Sequence, residues 1–268
     1  MNTVTSRDGT SIAYTCDGSG PAVILVGGGL DDGSENAPLV PELAPHFTVY
    51  NYARRGRGDS GDTQPYSMER EIEDIAALIA EAGGPAHLYG VSSGGALALE
   101  AAAAGLAVGT VAVYEVPYCI AGDMPRRARE YVDQLGPALA ENRRGDAVEL
   151  FMQLAGSSAE DIAGARSSPW WPGMEALAHT LAYDAACMGD YFQPPKARFA
   201  TIAQPTLVAT GGPIPPDSPM AGMPPDFFEQ AADAIVACVP HAQRQTWEGQ
   251  SHVADPKAIA PILERFFT

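Results

Sequence analysis

The chain has 268 residues, of which 46% are hydrophobic and 18% are charged, and its formal net charge at pH 7 is −17. This length allows one large domain or a core domain with an insertion, and the composition is typical of a globular protein with a buried core. A charge this negative argues against nucleic acid and anionic membrane surfaces as partners.

The sequence contains no targeting, membrane or metal-binding pattern. The first ten residues lack a basic stretch followed by an apolar core, and no apolar run reaches the roughly 18 residues of a membrane helix. Cys16, Cys119, Cys187 and Cys238 are scattered, with no C-x-x-C pair and no cluster with histidine. These features predict a cytoplasmic protein with free thiols and no metal site.

Short apolar segments alternate with alanine-rich amphipathic segments along most of the chain. We predict strands at 22–26, 47–52, 86–89, 110–114, 205–210 and 243–247, and helices at 69–82, 94–104, 227–239 and 256–267. This alternation predicts an α/β fold with a mostly parallel central sheet covered by helices on both faces.

One long segment interrupts this alternation. Residues 118–199 show helical patterns, at 126–143, 146–155 and 171–188, and no convincing strand. We therefore predict a helical cap at 118–199, inserted into a core domain formed by 1–117 and 200–268. Because open α/β sheets bind ligands at the carboxyl ends of their strands, we expect the cap to lie there.

The sequence Gly90-Val91-Ser92-Ser93-Gly94 lies between a predicted strand and a predicted helix. It fits the G-x-S-x-G pattern of a nucleophile elbow, a tight and strained turn that projects its serine above the sheet. In this register Ser92 is the nucleophile, and the N–H of Ser93 at the helix start is an oxyanion donor. The alternative is a small-residue turn needed only for packing.

On these residues the chain resembles the α/β-hydrolase fold superfamily over nearly its whole length. The stretch A-V-I-L-V-G-G-G resembles the family's oxyanion loop, N-Y-A-R-R-G-R-G-D-S-G its arginine- and glycine-rich loop, and G-Q-S-H-V its histidine loop. The resemblance implies an α/β-hydrolase fold with a helical cap. No dinucleotide-binding, phosphate-loop or metal-ligand pattern is present, so no cofactor is expected.

Two departures from the family pattern concern the oxyanion loop and the elbow. The family usually has His-Gly where this chain has Gly27-Gly28, which keeps the backbone donors but removes a side chain that orders the loop. Many members have histidine before the nucleophile, where this chain has Val91. The resemblance places the second oxyanion donor at the N–H of Gly29, with Leu30 as the next choice.

The base is predicted from position in the chain. Of the five histidines, only His252 lies between the last predicted strand and the last predicted helix. A histidine in this loop can reach over the sheet to the serine, and it follows the serine in chain order. His252 is therefore the predicted general base, which later acts as the general acid.

The triad acid has two candidates. The family most often places an aspartate shortly after the penultimate strand, but that position is Ile214 here, and Asp217 follows three residues later. Glu115 ends the strand after the nucleophile helix, where some haloalkane dehalogenases and the zearalenone-type lactone hydrolases have their acid. The elbow and acid region resembles the latter group. We predict Glu115, with Asp217 as the alternative; a salt bridge from Glu115 to Arg126 or Arg127 is the structural interpretation.

Large apolar side chains of the predicted cap are expected to line a substrate pocket, together with Leu30 of the oxyanion loop. The cap residues concerned are Trp170, Trp171, Met174, Tyr183, Met188 and Tyr191. A second wall is expected from Met220 and Met223 in the proline-rich loop 213–225. Asp31, Asp32 and Glu35 are interpreted as the solvated start of a helix.

These residues predict a cofactor-free serine hydrolase that cleaves an ester, lactone or thioester of a hydrophobic small molecule through an acyl-enzyme on Ser92. One alternative is a lyase or cyclase on the same fold, and another is a ligand-binding receptor with weak hydrolase activity. An aspartate-nucleophile dehalogenase or epoxide hydrolase is excluded, because Ser92 occupies the nucleophile position. The sequence leaves the oligomeric state open, with a homodimer as one option.

Overall fold

The computed structural model describes all 268 residues and contains a single eight-stranded sheet. Its strands are β1 (Asn2–Thr5), β2 (Ser11–Gly18), β3 (Ala22–Val26), β4 (Thr48–Tyr52), β5 (Ala86–Val91), β6 (Val108–Tyr114), β7 (Thr206–Thr210) and β8 (Ala242–Thr246). They lie in the order β1-β2-β4-β3-β5-β6-β7-β8. β2 pairs antiparallel with both β1 and β4, and the pairs from β4 to β8 are parallel, which confirms the predicted mostly parallel sheet.

Helices cover both faces of the sheet, as predicted. Those outside the segment between β6 and β7 are α1 (Val40–Leu43), α2 (Met68–Glu81), α3 (Ser93–Ala103), α10 (Phe227–Val236) and α11 (Pro256–Phe267). Side chains of β3 alternate between two cores: Ile24 packs in the core that contains α2, α3 and α10, whereas Val23 packs in the core that contains α1 and α11. Burial on both faces explains the continuous apolar sequence of this strand.

The segment between β6 and β7 contains helices and no strand. These are α4 (Met124–Ala140), α5 (Arg144–Leu154), α6 (Ala159–Arg166), α7 (Trp171–Leu177), α8 (Leu181–Cys187) and α9 (Lys196–Phe199). The helix predicted at 171–188 is interrupted by a 3-10 turn at Ala178–Thr180. There the Thr180 hydroxyl donates to the Leu177 carbonyl at 2.8 Å, a local bond that competes with the α-helical ladder.

The predicted elements in the core of the fold agree with the structure within a few residues. The strand at 22–26 and the helix at 256–267 coincide with β3 and α11, whereas the helix predicted at 227–239 ends at Val236. The apolar pattern does not predict the hairpin of β1 and β2, because the last four residues of β2 are exposed and the strand shows no apolar alternation. No helix combines the length and the apolar composition needed to cross a membrane.

Candidate active site

Ser92 occupies the sharp turn between β5 and α3. Its backbone has φ 55° and ψ −130°, a left-handed conformation that is strained for a residue with a side chain. The turn is held from both sides: the Ser92 N–H donates to the Tyr114 carbonyl at 3.0 Å, and the Ser92 carbonyl accepts from the Gly95 N–H at 3.0 Å. The structure thus has the strand–turn–helix geometry that the elbow pattern requires.

The glycines that flank Ser92 are required by close backbone contacts. An ideal Cβ on Gly90 would lie 2.5 Å from the Gly94 carbonyl oxygen, and one on Gly94 would lie 2.3 Å from the Val26 carbonyl oxygen. These distances are well below van der Waals contact, and backbone atoms cannot move aside as a flexible side chain can. Small residues here allow α3 to pack directly on β5 and on the end of β3.

Replacing Gly94 by alanine is therefore expected to lower the free energy of unfolding by about 2 kcal/mol or more, because the new methyl group overlaps the main chain. Chemical denaturation of the purified variant measures this change. Gly164 in α6 is a matched control, since its Cβ would meet no atom within 4 Å. Gly164→Ala is expected to raise stability by up to about 1 kcal/mol. Equal effects of the two substitutions would contradict the packing argument.

His252 and Glu115 form a hydrogen-bonded pair in which the carboxylate is buried and the imidazole is partly exposed. His252 Nδ1 lies 2.7 Å from Glu115 Oε2, and the Gly211 N–H donates to Glu115 Oε1 at 2.9 Å. An ionised carboxylate only accepts hydrogen bonds, so the imidazole carries its proton on Nδ1 and leaves Nε2 free to take a proton. The ring of His252 also stacks on Phe228, with centroids 5.1 Å apart, which further restricts its orientation.

Glu115 follows β6 directly and is 4% exposed. Its φ of 47° is unusual for a residue with a side chain, and its N–H donates to the Ala209 carbonyl at 3.0 Å. Arg126 pairs with Glu130 and Asp123, while Arg127 donates to backbone carbonyls, so neither forms the alternative salt bridge with Glu115. A strained, buried carboxylate that contacts histidine is the arrangement expected of an orienting acid.

Asp217, the alternative acid, is exposed in the proline-rich loop and forms no hydrogen bond or ion pair with His252. It lines a cleft of about 520 Å³ on whose walls Glu115 and His252 also lie. The residues Pro215 and Pro216 precede it, and the loop does not double back far enough to bring its carboxylate to the imidazole. The structure therefore brings Glu115 to His252, and not Asp217.

Ser92 and His252 line a common cavity of about 200 Å³. No hydrogen bond joins the two side chains across this cavity. Ten of the thirteen lining residues are hydrophobic. The lining consists of Ser92, Pro117, Cys119, Met124, Phe151, Leu154, Ala155, Phe192, Met220, Met223, Phe227, Phe228 and His252.

The cavity lining corrects the predicted pocket in part. Met220 and Met223 do form a wall, but none of Leu30, Trp170, Trp171, Tyr183 and Met188 lines the cavity. Trp170 is 53% exposed at the start of α7, Met188 is buried in the core, and Leu30 packs against that core. Trp171 is buried beside Arg166, and Tyr183 stacks on Tyr66 with ring centroids 3.8 Å apart.

The side chains that line the cavity instead come from α4, α5 and α10, from the loops that follow β6 and β7, and from the 3-10 turn at Asp190–Phe192. Phe151 and Phe192 belong to the helical segment between β6 and β7, called the inserted segment below, and Phe227 and Phe228 begin α10. Their sequence signal was an apolar residue at helical spacing, which equally indicates packing in the core. Whether such a residue lines the cavity or packs in the core depends on which way its helix turns that side chain, and the spacing does not determine this.

The predicted oxyanion loop packs directly on the nucleophile. An ideal Cβ on Gly28 would lie 3.1 Å from Ser92 Cβ and 3.7 Å from Ser92 Oγ. The N–H of Gly29 donates to no protein acceptor, and Ser93 is the first residue of α3, where N–H groups have no acceptor within the helix. Neither predicted donor N–H is therefore bonded to an acceptor within the protein.

Asp31 fills the space beside Gly27. An ideal Cβ on Gly27 would lie 1.9 Å from Asp31 Oδ2, and Asp31 Oδ1 accepts the N–H groups of Gly33 and Glu35, both at 2.9 Å. Burial raises the pKa of Asp31, and these two hydrogen bonds oppose that rise. The carboxylate is thus a structural part of the loop, whereas the sequence had indicated a solvated helix start.

A buried ionic network lies behind the oxyanion loop. Arg54 forms two hydrogen bonds of 2.7 Å to Glu71 and a third of 2.7 Å to Asp184 of α8. Burial works to raise the pKa of Glu71, but the charge and hydrogen bonds of Arg54 outweigh it and hold that pKa at about 2. No local sequence pattern indicates this network, because Asp184 lies 130 residues from Arg54.

No group of three or more histidine, cysteine, aspartate or glutamate side chains is arranged to hold a metal ion. All four cysteines are free, and one of them, Cys119, lines the cavity. Burial raises the pKa of the Cys119 thiol to about 12, so it remains protonated at neutral pH and is a weak nucleophile. Ser92 is then the residue in this cavity best placed for nucleophilic chemistry.

Comparison with known proteins identifies relatives that share this fold. A profile of the Alpha/beta hydrolase family matches residues 22–262. The chain is 31% identical to pimeloyl-[acyl-carrier protein] methyl ester esterase of Xanthomonas campestris pv. campestris, over 93% of this chain and 96% of that protein.

Solved structures agree with this assignment. The crystal structure of an alpha/beta hydrolase from Sphaerobacter thermophilus is 49% identical, covers 100% of both chains and superposes with a TM-score of 0.87. The enol-lactonase from Burkholderia xenovorans superposes with a TM-score of 0.66 over 99% of both chains, at 21% identity, which shows a shared fold only.

Proposed function

The chain belongs to the alpha/beta hydrolase family, and from this we propose that it is a serine hydrolase that cleaves an ester, lactone or thioester of a hydrophobic small molecule. The observation that carries the proposal is the contact of 2.7 Å between His252 Nδ1 and Glu115 Oε2, beside a serine held in a left-handed elbow. The name of the Xanthomonas relative specifies a methyl ester, which favours ester hydrolysis over other chemistry of the fold.

In the proposed mechanism Ser92 Oγ attacks the carbonyl carbon of the substrate while His252 Nε2 takes the hydroxyl proton. Glu115 accepts the Nδ1–H bond throughout, so it keeps the required tautomer and stabilises the imidazolium that forms. The N–H groups of Gly29 and Ser93 stabilise the negative charge on the former carbonyl oxygen. His252 then donates its proton to the departing alcohol or thiol, leaving an acyl group on Ser92.

Water completes the cycle by the same steps in reverse order. His252 Nε2 removes a proton from water, the resulting hydroxide attacks the acyl carbon, and Ser92 Oγ leaves with the proton from the imidazolium. The acid product then dissociates. Each proton that His252 accepts is returned within the same half-reaction, so the enzyme ends in its starting state.

The apolar cavity supports an uncharged acyl or alkyl group as the part of the substrate held beside Ser92. Apart from His252, no lining residue carries a titratable group that is charged near neutral pH. A carboxylate placed there would lose its hydration without gaining an ionic partner, at a cost of several kcal/mol. The substrate class that fits is therefore a neutral, hydrophobic ester, lactone or thioester.

The first test is hydrolysis of p-nitrophenyl esters of graded chain length and of a set of aliphatic lactones by the purified protein. We expect measurable turnover of at least one neutral substrate, with an optimum at intermediate acyl length because the cavity is bounded. Absence of turnover over the whole set, with folding shown by circular dichroism, would contradict the proposed function.

The charge preference gives a second, independent prediction. The p-nitrophenyl ester of hexanoic acid is expected to have a kcat/KM about 100-fold or more above that of the adipic acid monoester at pH 7, because the latter carries a terminal carboxylate into the apolar cavity. The methyl ester of the adipate compound restores neutrality and serves as the matched control. Similar kcat/KM values for the charged and neutral compounds would refute an apolar acyl site.

A further inference from the structure

Arg57 connects the oxyanion loop to the inserted helical segment. Its guanidinium is fully buried, its Nη1 donates to the Gly28 carbonyl, and its Nη2 donates to Asp184 Oδ1 at 2.7 Å. A buried guanidinium has no freedom to leave these partners for water. The side chain therefore fixes the direction of the Gly28 carbonyl relative to α8.

The direction of the Gly28 carbonyl determines where the Gly29 N–H points. In a planar trans peptide the carbonyl and the N–H of the next residue point in opposite directions. The loop has glycine at positions 27, 28 and 29, whose backbones are conformationally free and lack side chains to anchor them. A restraint from outside the loop is thus needed to hold the Gly29 N–H toward the ligand.

Asp184 extends this restraint to the second predicted donor. Its Oδ1 accepts hydrogen bonds from Arg57, from Arg54 Nη1 and from the Ser93 hydroxyl, each at 2.7 Å. Asp184 Oδ1 is therefore hydrogen-bonded to the side chain of Ser93, the residue of one predicted oxyanion donor. Through Arg57 it is also linked to the peptide group that contains the Gly29 N–H, the other predicted donor. Asp184 Oδ2 is buried without a partner and lies 3.5 Å from the ideal Cβ position of Gly29.

We propose that Arg57, held by Asp184, is the positioning residue of the oxyanion hole, so that the inserted segment sets the geometry of the catalytic loop. Neither side chain touches the reacting atoms. Two arginines and two carboxylates, Arg54, Arg57, Glu71 and Asp184, balance in charge, so the network restrains the loop without adding net charge beside the site. The inference rests on the proposed hydrolase function.

The test compares Arg57→Met with Arg55→Met. Arg55 belongs to the same loop and is equally buried, but its partners are Asp74 and Asp8, away from the oxyanion loop. For Arg57→Met we expect kcat on the best ester to fall about 100-fold, as when an oxyanion donor is lost, with KM changed by no more than about threefold. Arg55→Met is expected to lower the melting temperature but to keep kcat within about threefold of wild type.

A fall in kcat with KM nearly unchanged distinguishes a positioning role from a general loss of structure. A merely structural role of Arg57 would give Arg57→Met the same kinetic effect as Arg55→Met, and that outcome would overturn the proposal. If Arg57→Met does not fold, Arg57→Lys decides: lysine keeps the buried charge but lacks the two-pronged donor geometry, so kcat should still fall while KM holds. An unchanged kcat in that variant would also overturn it.

Failure of this inference is distinguishable from failure of the proposed function. If the wild-type protein turns over esters while Arg57→Met keeps its kcat, the positioning role is wrong and the hydrolase proposal stands. If the wild-type protein turns over no substrate, the hydrolase proposal fails first, and the positioning role fails with it because there is no oxyanion to position.

Discussion

Replacing Ser92 by alanine is expected to lower kcat for ester hydrolysis by about 10⁶-fold, the loss typical of removing the nucleophile of a serine hydrolase. The substitution deletes one oxygen atom at a position whose backbone is held by the Tyr114 carbonyl and by Gly95. The fold should therefore persist, and alanine adopts the same backbone conformation at similar cost. Steady-state kinetics on the best ester, with enzyme purified to exclude contaminating esterases, measures the effect.

The neighbouring serine provides the control for this prediction. Ser93→Ala removes a hydroxyl that donates to Asp184, but it keeps the backbone N–H that is the predicted oxyanion donor. We expect a loss of kcat of no more than about tenfold, since one hydrogen bond of the supporting network is removed. If Ser93→Ala is inactive and Ser92→Ala is active, the nucleophile is Ser93 and the assignment of Ser92 is wrong.

Replacing Glu115 by glutamine is expected to lower kcat by about 10⁴-fold, the effect of turning an orienting carboxylate into an amide. The glutamine side chain has the same shape, so its oxygen can still accept the Gly211 N–H that Glu115 Oε1 accepts at 2.9 Å. Its amide nitrogen then faces His252 Nδ1 and acts as a donor, which favours the tautomer with the proton on Nε2. In that tautomer the imidazole cannot take the Ser92 proton.

Asp217→Asn is the matched control for the acid. Asp217 is exposed and bonds to no atom of His252, so its substitution should leave kcat within about threefold of wild type. If Asp217→Asn loses activity and Glu115→Gln does not, the hydrogen bond between His252 and Glu115 is not the catalytic one.

The parts of the site that depend on short-range pattern could be predicted from the sequence. Gly90 and Gly94 are needed because a Cβ at either position would overlap main-chain atoms of the elbow or of the end of β3. Their spacing around Ser92 in the sequence indicates this requirement. Glu115 follows β6 and His252 follows β8, with only β7 between them, and the carboxyl ends of parallel strands lie at one edge of the sheet. The structure brings these two side chains together, while their catalytic roles stay predictions.

The parts that depend on how distant helices pack could not be predicted. Phe151 and Tyr183 both lie in the inserted segment, yet the first lines the cavity and the second stacks on Tyr66. Apolar periodicity gives the buried face of a helix, but not which neighbour it faces. The contact of Arg57 with Asp184 likewise joins residues 127 positions apart, and nothing local to either residue indicates the partner.

The absence of histidine before Gly28 is explained by the same packing. Asp31 lies where a side chain at position 27 would begin, and Arg57 donates to the Gly28 carbonyl. The loop is therefore held by Asp31 and Arg57, and through Arg57 by Asp184 of α8. A family pattern that differs at one position can thus preserve the geometry through contacts that the pattern itself does not contain.

The proposed role of Ser92 as an activated nucleophile is tested most directly by the intact mass of the protein after incubation with an alkyl fluorophosphonate. We expect a single adduct on the wild-type protein and none on Ser92→Ala. Cys119 should not react, because burial raises the pKa of its thiol to about 12. An unmodified wild-type protein, folded by circular dichroism, or an adduct that persists in Ser92→Ala, would contradict the claim.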